Sequence, residues 1–239
     1  MSISVFMLFH HEWNAMTRSL DSVKKFYPDA QFILGRDTLE FGRLDLVADY
    51  NPVVVQTRSC MQRFLDYGYN LEGSQEFSLG EVVETVLCHV NRLKDVANHA
   101  EYENILCLEP DGFMRFKSQP SSNFDLDSLE ANPYPSKILD LIREISGEPL
   151  PISGWGFVVG WTNKSCLIKM AKWCETNNDV LMQIAKIDHR FAYMDYSIPI
   201  LAHLSGSRVG NSNQVVECNR TRFWRFTRKP LLHQFKYNH

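Results

Sequence analysis

The stretch from Ser78 to Ala97 constrains the fold more than any other part of the chain. Ser78 and Glu81 stand at the spacing of a capping box, and Val82, Val83, Val86, Leu87, Val90, Leu93 and Ala97 recur at helical intervals on one face. A long amphipathic helix must lay that face on a core. The chain then passes directly into N-I-L-C-L-E-P-D-G-F-M-R-F, Asn104 to Phe116, which opens as a buried strand. Ile3 to Phe9 is a second strand pattern. Trp13, Met16, Leu20, Val23 and Phe26 mark a helix closed by the turn Tyr27-Pro28-Asp29, and Gln31 to Gly35 and Pro52 to Gln56 repeat the strand signal. Strands alternating with helices imply right-handed crossovers and a mostly parallel central sheet covered on both faces, an α/β fold.

At 239 residues and 44% hydrophobic content the chain can bury a full core. No linker divides it and no repeat is visible. We therefore expect one domain over 1–239, with a first half over 1–116 and a more variable second half over 117–239. The net charge of −3 gives no global basic field, which argues against nucleic acid as the principal partner. Cations interleave with aromatics only in N-R-T-R-F-W-R-F-T-R-K-P, where a local phosphate contact competes with an ordinary solvated strand face. Six cysteines, with no C-x-x-C pair, are expected to be reduced, mostly buried thiols. The apolar run Val5 to Phe9 is too short for a signal or membrane span, so the expected location is cytoplasmic. The sequons at Asn163 and Asn219 are expected to be chance.

In the second half, Lys117 to Asn132 reads as a long Ser-, Pro- and Asp-containing loop. Ser136 is expected to cap a helix over Lys137 to Ser146, stopped by Gly147. I-S-G-W-G-F-V-V-G precedes another buried strand, and Ser165 to Glu175, Asp179 to Ile187 and Asp195 to Leu204 read as helices.

Ligands of parallel sheets bind beyond the carboxyl ends of the strands. Glu109 and Asp111 fall there, as do Phe9, His10 and His11 after the first strand and Asp37 after the second. At the end of this strand E-P-D is expected to present its two carboxylates on the same side, because alternate residues of an extended chain share a face and the proline biases Glu109 towards an extended conformation. Such hard oxygen donors suit Mg²⁺ or Mn²⁺ with positions left for water and diphosphate oxygens. A merely solvated turn is the plainer alternative.

Taken in order, the βα start, E-P-D, S-G-W-G-F, a helix starting with an Asp and a late H-x-x-K resemble the GT-A glycosyltransferases, which transfer a sugar from a nucleotide diphosphate donor. The likeness spans most of the chain through short motifs. It implies a Rossmann-like domain whose first half binds the nucleotide sugar and whose second half binds the acceptor. Glu109 and Asp111 take the place of the family's D-x-D metal ligands, although the commoner first residue is Asp. His233 resembles the C-terminal histidine ligand, and Lys236 stands where it would meet phosphate. Phe9, His10 and Asp37 are the remaining expected nucleotide contacts. Gly154, Trp155 and Gly156 resemble the acceptor loop, where an indole can stack on a sugar; a core Trp in a tight turn is the alternative. Asp195 resembles the general base of inverting members, with a helix cap as its bland role and Asp188 as a rival base. His203 is expected to be a core or helix-surface residue.

The resemblance therefore implies a Mn²⁺- or Mg²⁺-dependent transferase moving a hexosyl or pentosyl group from a UDP- or GDP-sugar to a hydroxyl of a glycan or glycoconjugate, with inversion. A retaining transferase, a nucleotidyltransferase and a silent sugar- or protein-binding domain of the same fold are the alternatives. A nucleotidyltransferase would usually carry a glycine-rich basic loop where this chain has F-H-H-E-W-N.

Overall fold

A computed structural model describes residues 1–9, 13–36, 44–56, 78–110, 112–128, 132–156, 160–217 and 229–233; the side chains of Phe9, Arg36, Gln56, Val216, Glu217, Leu232 and His233 are not described. The elements are β1 (Ser4–Phe9), α1 (Trp13–Lys24), β2 (Gln31–Arg36), a 3₁₀ helix (Leu44–Tyr50), β3 (Val53–Gln56), α2 (Leu79–His99), β4 (Asn104–Leu108), β5 (Phe113–Met114), β6 (Leu126–Asp127) and β7 (Asn132–Pro133). There follow α3 (Ser136–Ser146), β8 (Gly154–Trp155), β9 (Gly160–Asn163), α4 (Lys164–Thr176), α5 (Asn178–Ile187), a second 3₁₀ helix (His189–Ala192), α6 (Met194–Leu204), β10 (Val209–Gly210), β11 (Val215–Glu217) and β12 (Leu231–His233).

The central sheet runs β10-β6-β9-β4-β1-β2-β3. β1 is parallel to both β2 and β4, β2 to β3, and β6 to β10; only β9 runs against its neighbours β4 and β6. The chain moves outward from β1 through β2 to β3, then crosses back to place β4 on the other side of β1. That reversal makes a topological switch point between β1 and β4, and the crevice outside their carboxyl ends is where such sheets bind ligands.

Strand alternation divides the core between two faces. Phe6, Ile33, Ile105 and Cys107 point to one side, packing on Val82, Val86, Val90 and Leu93 of α2 and on the later helices. Val5, Met7, Leu106 and Leu108 point to the other, meeting Met16, Leu20 and Val23 of α1. The capping box that opens α2 is present, with the Ser78 side chain accepting from the Glu81 N–H and the Glu81 carboxylate accepting from the Ser78 N–H.

Three expectations need correction. The segment 117–132 is not a single loop. Leu126 and Asp127 form β6, which joins the central sheet between β9 and β10, and Asn132 begins β7. Two-residue strands carry no periodic signal, so only long-range pairing defines them. The N-cap of α3 is Pro135, without a side-chain cap, and Ser136 is already helical. Asp195 is not a helix cap either: Tyr193 occupies that position and Asp195 lies inside the first turn of α6.

Cys107, Cys166 and Cys174 are buried free thiols and Cys88 is half-buried; burial pushes the Cys107 and Cys174 thiols up to about 12. Cys60, Cys218 and Asn219 lie outside the described residues. Asn163 caps α4 by accepting the Cys166 N–H at 2.7 Å, which explains an Asn at that sequon. Among the described residues, no helix is long and apolar enough to cross a membrane.

Candidate active site at the carboxyl edge of the sheet

β4 ends at Leu108, and the chain turns at once. The Gly112 N–H donates to the Glu109 carbonyl at 2.8 Å, closing a four-residue turn with Pro110 in its second position, where proline's fixed φ is favoured. The turn is tight at Gly112, where an added Cβ would stand 3.0 Å from the Glu109 oxygen. The chain therefore leaves β4 in a turn at Glu109 and Pro110 rather than as an extension of the strand. Glu109 is half-buried at this turn, while Asp111 lies outside the described residues.

Beyond the turn, β5 pairs antiparallel with β12, matching Leu232 to Phe113 and Leu231 to Met114. Continued by one residue, this register sets the backbone of His233 beside Gly112, next to the E-P-D turn, although the two are far apart in the sequence. Local pattern could not reveal it. Phe9 closes β1 opposite Arg36. His10, Asp37 and Lys236 lie outside the described residues, as does the basic run up to Arg228. Lys229, at its end, donates to the Asn213 side chain and to the Val215 carbonyl at 3.2 Å, so this cation anchors local backbone.

The acceptor-like segment enters from the same edge. β9 is antiparallel to β4, with Gly160 opposite Cys107, so the chain reaches β9 from the carboxyl side. Just before it, Gly154 and Trp155 form β8 against Asn132 and Pro133. A Cβ on Gly154 would meet the Asn132 carbonyl oxygen at 2.5 Å. The glycine's small size thus permits the strand pairing with β7 at this point. Gly156 has φ +152°, a backbone that suits glycine.

Trp155 is half-buried in an aromatic group that the sequence reading did not assemble. Its ring stacks parallel on Tyr193, with centroids 6.5 Å apart and 7° between planes, and tilts against Tyr196 at 5.5 Å. Tyr134 meets Tyr196 edge-on at 5.0 Å and donates its hydroxyl to the Tyr196 carbonyl at 3.0 Å. Tyr193 and Tyr196 flank Asp195, so β8 and the first turn of α6 form one unit. In that turn Pro199 cannot donate to the Asp195 carbonyl. The turn is held instead by the Ser197 N–H and hydroxyl, both donating to Tyr193 O at 2.9 Å. The N-terminal end of a helix favours negative charge, which suits a carboxylate at Asp195.

Asp188 is differently employed. It caps the second 3₁₀ helix by accepting the Arg190 N–H at 3.0 Å, takes Nε and Nη2 of Arg190 at 3.0 and 2.7 Å, and accepts the Tyr196 hydroxyl at 2.9 Å. Burial alone would raise its pKa, but these donors outweigh burial and hold it lowered. A carboxylate so occupied is a poor proton acceptor, which removes the reason for preferring it as a base. Tyr196 is raised by burial and by the Asp188 charge, and so stays a hydroxyl donor. The signal that could have exposed this unit is the run D-H-R-F-A-Y-M-D-Y, Asp188 to Tyr196, in which acids and tyrosines are closely interleaved.

The amino edge of the sheet carries a cavity of about 200 Å³, lined by Asn104, Phe124, Asp125, Thr162, Asn163 and Arg208 among others. It lies away from the strand carboxyl ends, and its charged groups already have partners, Asp127 accepting from the Ser212 N–H at 2.7 Å. Arg208 is paired with Asp125 at 2.8 Å, and this bond holds the Asp125 carboxyl down to about 2. His203 lies half-buried near Ser146 and Glu148, as a helix-surface residue. Among the described residues, no group of three His, Cys, Asp or Glu side chains converges as a metal site.

No family model and no curated protein sequence matches the chain. Solved structures do match its fold. The galactosyltransferase LgtC, in complex with donor and acceptor sugar analogues, superposes with a TM-score of 0.51 at 12% identity, over 98% of this chain and 86% of that one. An active-site mutant of LgtC gives 0.52 at 14% identity, over 99% and 88%. Core-mannan synthase A from Aspergillus fumigatus, in a Mn/GDP form, gives 0.49 at 9% identity, over 88% and 72%. At these identities the likeness is one of architecture, and the chain has the GT-A fold seen in the two LgtC structures.

Proposed function

We propose that the chain is a metal-dependent glycosyltransferase that moves a sugar from a nucleotide diphosphate donor to a hydroxyl acceptor, most simply of a glycan. The observation that carries this is convergence at one sheet edge. The E-P-D turn at the end of β4, the backbone of His233 beside it, and β8 joined to the first turn of α6 come from distant parts of the chain. LgtC, which is bound to donor and acceptor sugar analogues, has the same fold, and that likeness supports the assignment.

Glu109, Asp111 and His233 form the donor set for Mn²⁺ or Mg²⁺, a combination of hard oxygens and one imidazole that suits either ion. The half-buried Glu109 at a turn that His233 approaches through β12 fits such a site. When bound, the ion supplies positive charge to the diphosphate oxygens. Phe9, His10 and Asp37 contact the nucleotide and Lys236 meets the phosphates. Gly154, Trp155 and Gly156 seat the acceptor. Asp195 takes the proton from the acceptor hydroxyl as its oxygen bonds to the anomeric carbon. The bond from that carbon to the diphosphate breaks in the same displacement, the nucleoside diphosphate departs, and the anomeric centre inverts.

Calorimetric titration of UDP and GDP with and without Mn²⁺ tests the assignment. Binding should appear only with the ion for one of the two nucleotides, and binding indifferent to the ion would remove the metal-dependent transferase. Turnover of the matching nucleotide sugar, followed by NMR coupling constants, reads the anomeric outcome. An α-donor yielding an α-product would take the base role away from Asp195.

A further inference from the structure

We infer that Asp188 and Tyr196 are positioning residues for the acceptor, setting the place of Trp155 and Asp195 without touching either substrate; this rests on the transferase function proposed above. Asp188 is held from two sides at once. The Arg190 guanidinium grips it through Nε and Nη2, and the Tyr196 hydroxyl reaches it at 2.9 Å. Its side chain is only 11% exposed, whereas that of Arg190 is 41% exposed, so the carboxylate faces inward while its cation reaches solvent.

Tyr196 is fully buried, and every side of it is in use. Its hydroxyl ends on Asp188, its carbonyl accepts from Tyr134, the Arg190 guanidinium lies 5.7 Å from its ring centroid, and its ring leans on Trp155 at 5.5 Å. It follows Asp195 directly in the chain. A shift of the Tyr196 ring therefore moves two things together: the indole expected to lie under the acceptor sugar, and the carboxylate expected to take its proton. Small misplacements of reacting groups are costly in rate. Among the described residues the buried Trp155 indole N–H has no hydrogen-bond partner, and its ring packs against Tyr193 and Tyr196.

The experiment compares Tyr196→Phe, Asp188→Ala and Asp188→Asn in the full chain, with p-nitrophenyl hexosides as acceptors. Tyr196→Phe removes one hydroxyl and keeps the ring. It should raise the acceptor KM about tenfold while nucleotide affinity, read by calorimetry with Mn²⁺, changes less than about twofold. Asp188→Ala should match it, the double variant should add little, and Asp188→Asn, whose amide oxygen can still accept from Tyr196, should recover most of the loss. The Trp155 indole N–H resonance, assigned with Trp155→Phe, should move in Tyr196→Phe. An unchanged acceptor KM, or a parallel weakening of nucleotide binding, would overturn the positioning role alone. Failure of the unaltered chain to bind any nucleoside diphosphate with Mn²⁺ would overturn the transferase function and this inference with it.

Discussion

The two edges of the central sheet are built differently. At the amino edge, polar side chains bond to one another and to backbone. The Ser4 hydroxyl donates to the Gln31 side chain at 2.7 Å, Gln31 donates to the His99 carbonyl at 2.9 Å, and the Lys164 ammonium donates to the Ala100 carbonyl at 2.9 Å. Asp125 is closed off by Arg208 and by the Asn163 amide. At the carboxyl edge β4 runs out into a turn, and β12 and the segment that leads into β9 reach that edge from distant parts of the chain. Both edges carry carboxylates. At the amino edge Asp125 is saturated by protein donors, which leaves it little to offer a ligand, whereas the carboxyl edge is the one proposed to take the sugar donor.

The sharpest way to break this contrast is at Asp111. With Asp111→Ala, turnover of the matching nucleotide sugar should fall about 10³-fold or more, as expected for loss of the proposed metal ligand. A variant that keeps full activity would leave the carboxyl edge without its proposed metal. Asp195→Asn comes next. It should lower kcat by about 10²- to 10⁴-fold while nucleotide binding survives, as expected for loss of a general base. A fall in stability with near-normal kcat would make Asp195 a structural acid, like those at the opposite edge.

Arg208→Ala probes the amino edge and should have the smallest effect on activity, within about twofold, because a rim contact remote from the strand carboxyl ends rarely touches chemistry. Its signature lies in pH. The Arg208 hydrogen bonds hold the folded Asp125 carboxyl at about 2, against an ordinary 3.8. The unfolded chain therefore binds more protons between these values. The stability due to this pair is complete above pH 3.8 and is lost as the pH falls toward 2. Removing Arg208 brings the two states closer, so the decline of stability across that window should become shallower. Acid titration of unfolding by circular dichroism reads the slope, and an unchanged slope would show that the pair is not what lowers Asp125.

Much of this fold is legible in the chain itself. The box at Ser78 and Glu81, the apolar face of α2 and the alternation of β1 and β4 between two cores are local patterns. They follow from rotation per residue in a helix and from alternation in a strand, and so they suffice to predict crossovers, a largely parallel sheet and a ligand edge at the strand ends. Asp195 near the start of a late helix and the aromatic glycine segment before β9 were legible for the same reason. The E-P-D geometry was not, because a proline turn and a continued strand fit the same three residues until the Gly112 N–H finds the Glu109 carbonyl.

The sequence by itself determined the alternating βα framework, the apolar faces that cover the sheet and the order in which the candidate groups appear. Tertiary structure alone decided that Leu126 and Asp127 join the sheet, that β12 returns His233 to the E-P-D turn, and that Asp188 is bound by Arg190 and Tyr196 while Trp155 lies on Tyr193. The physical reason is range. Helical and strand periodicity is a property of neighbouring residues, whereas a two-residue strand, a carboxylate's partner and the face of an indole are fixed only when segments far apart in the chain are packed together.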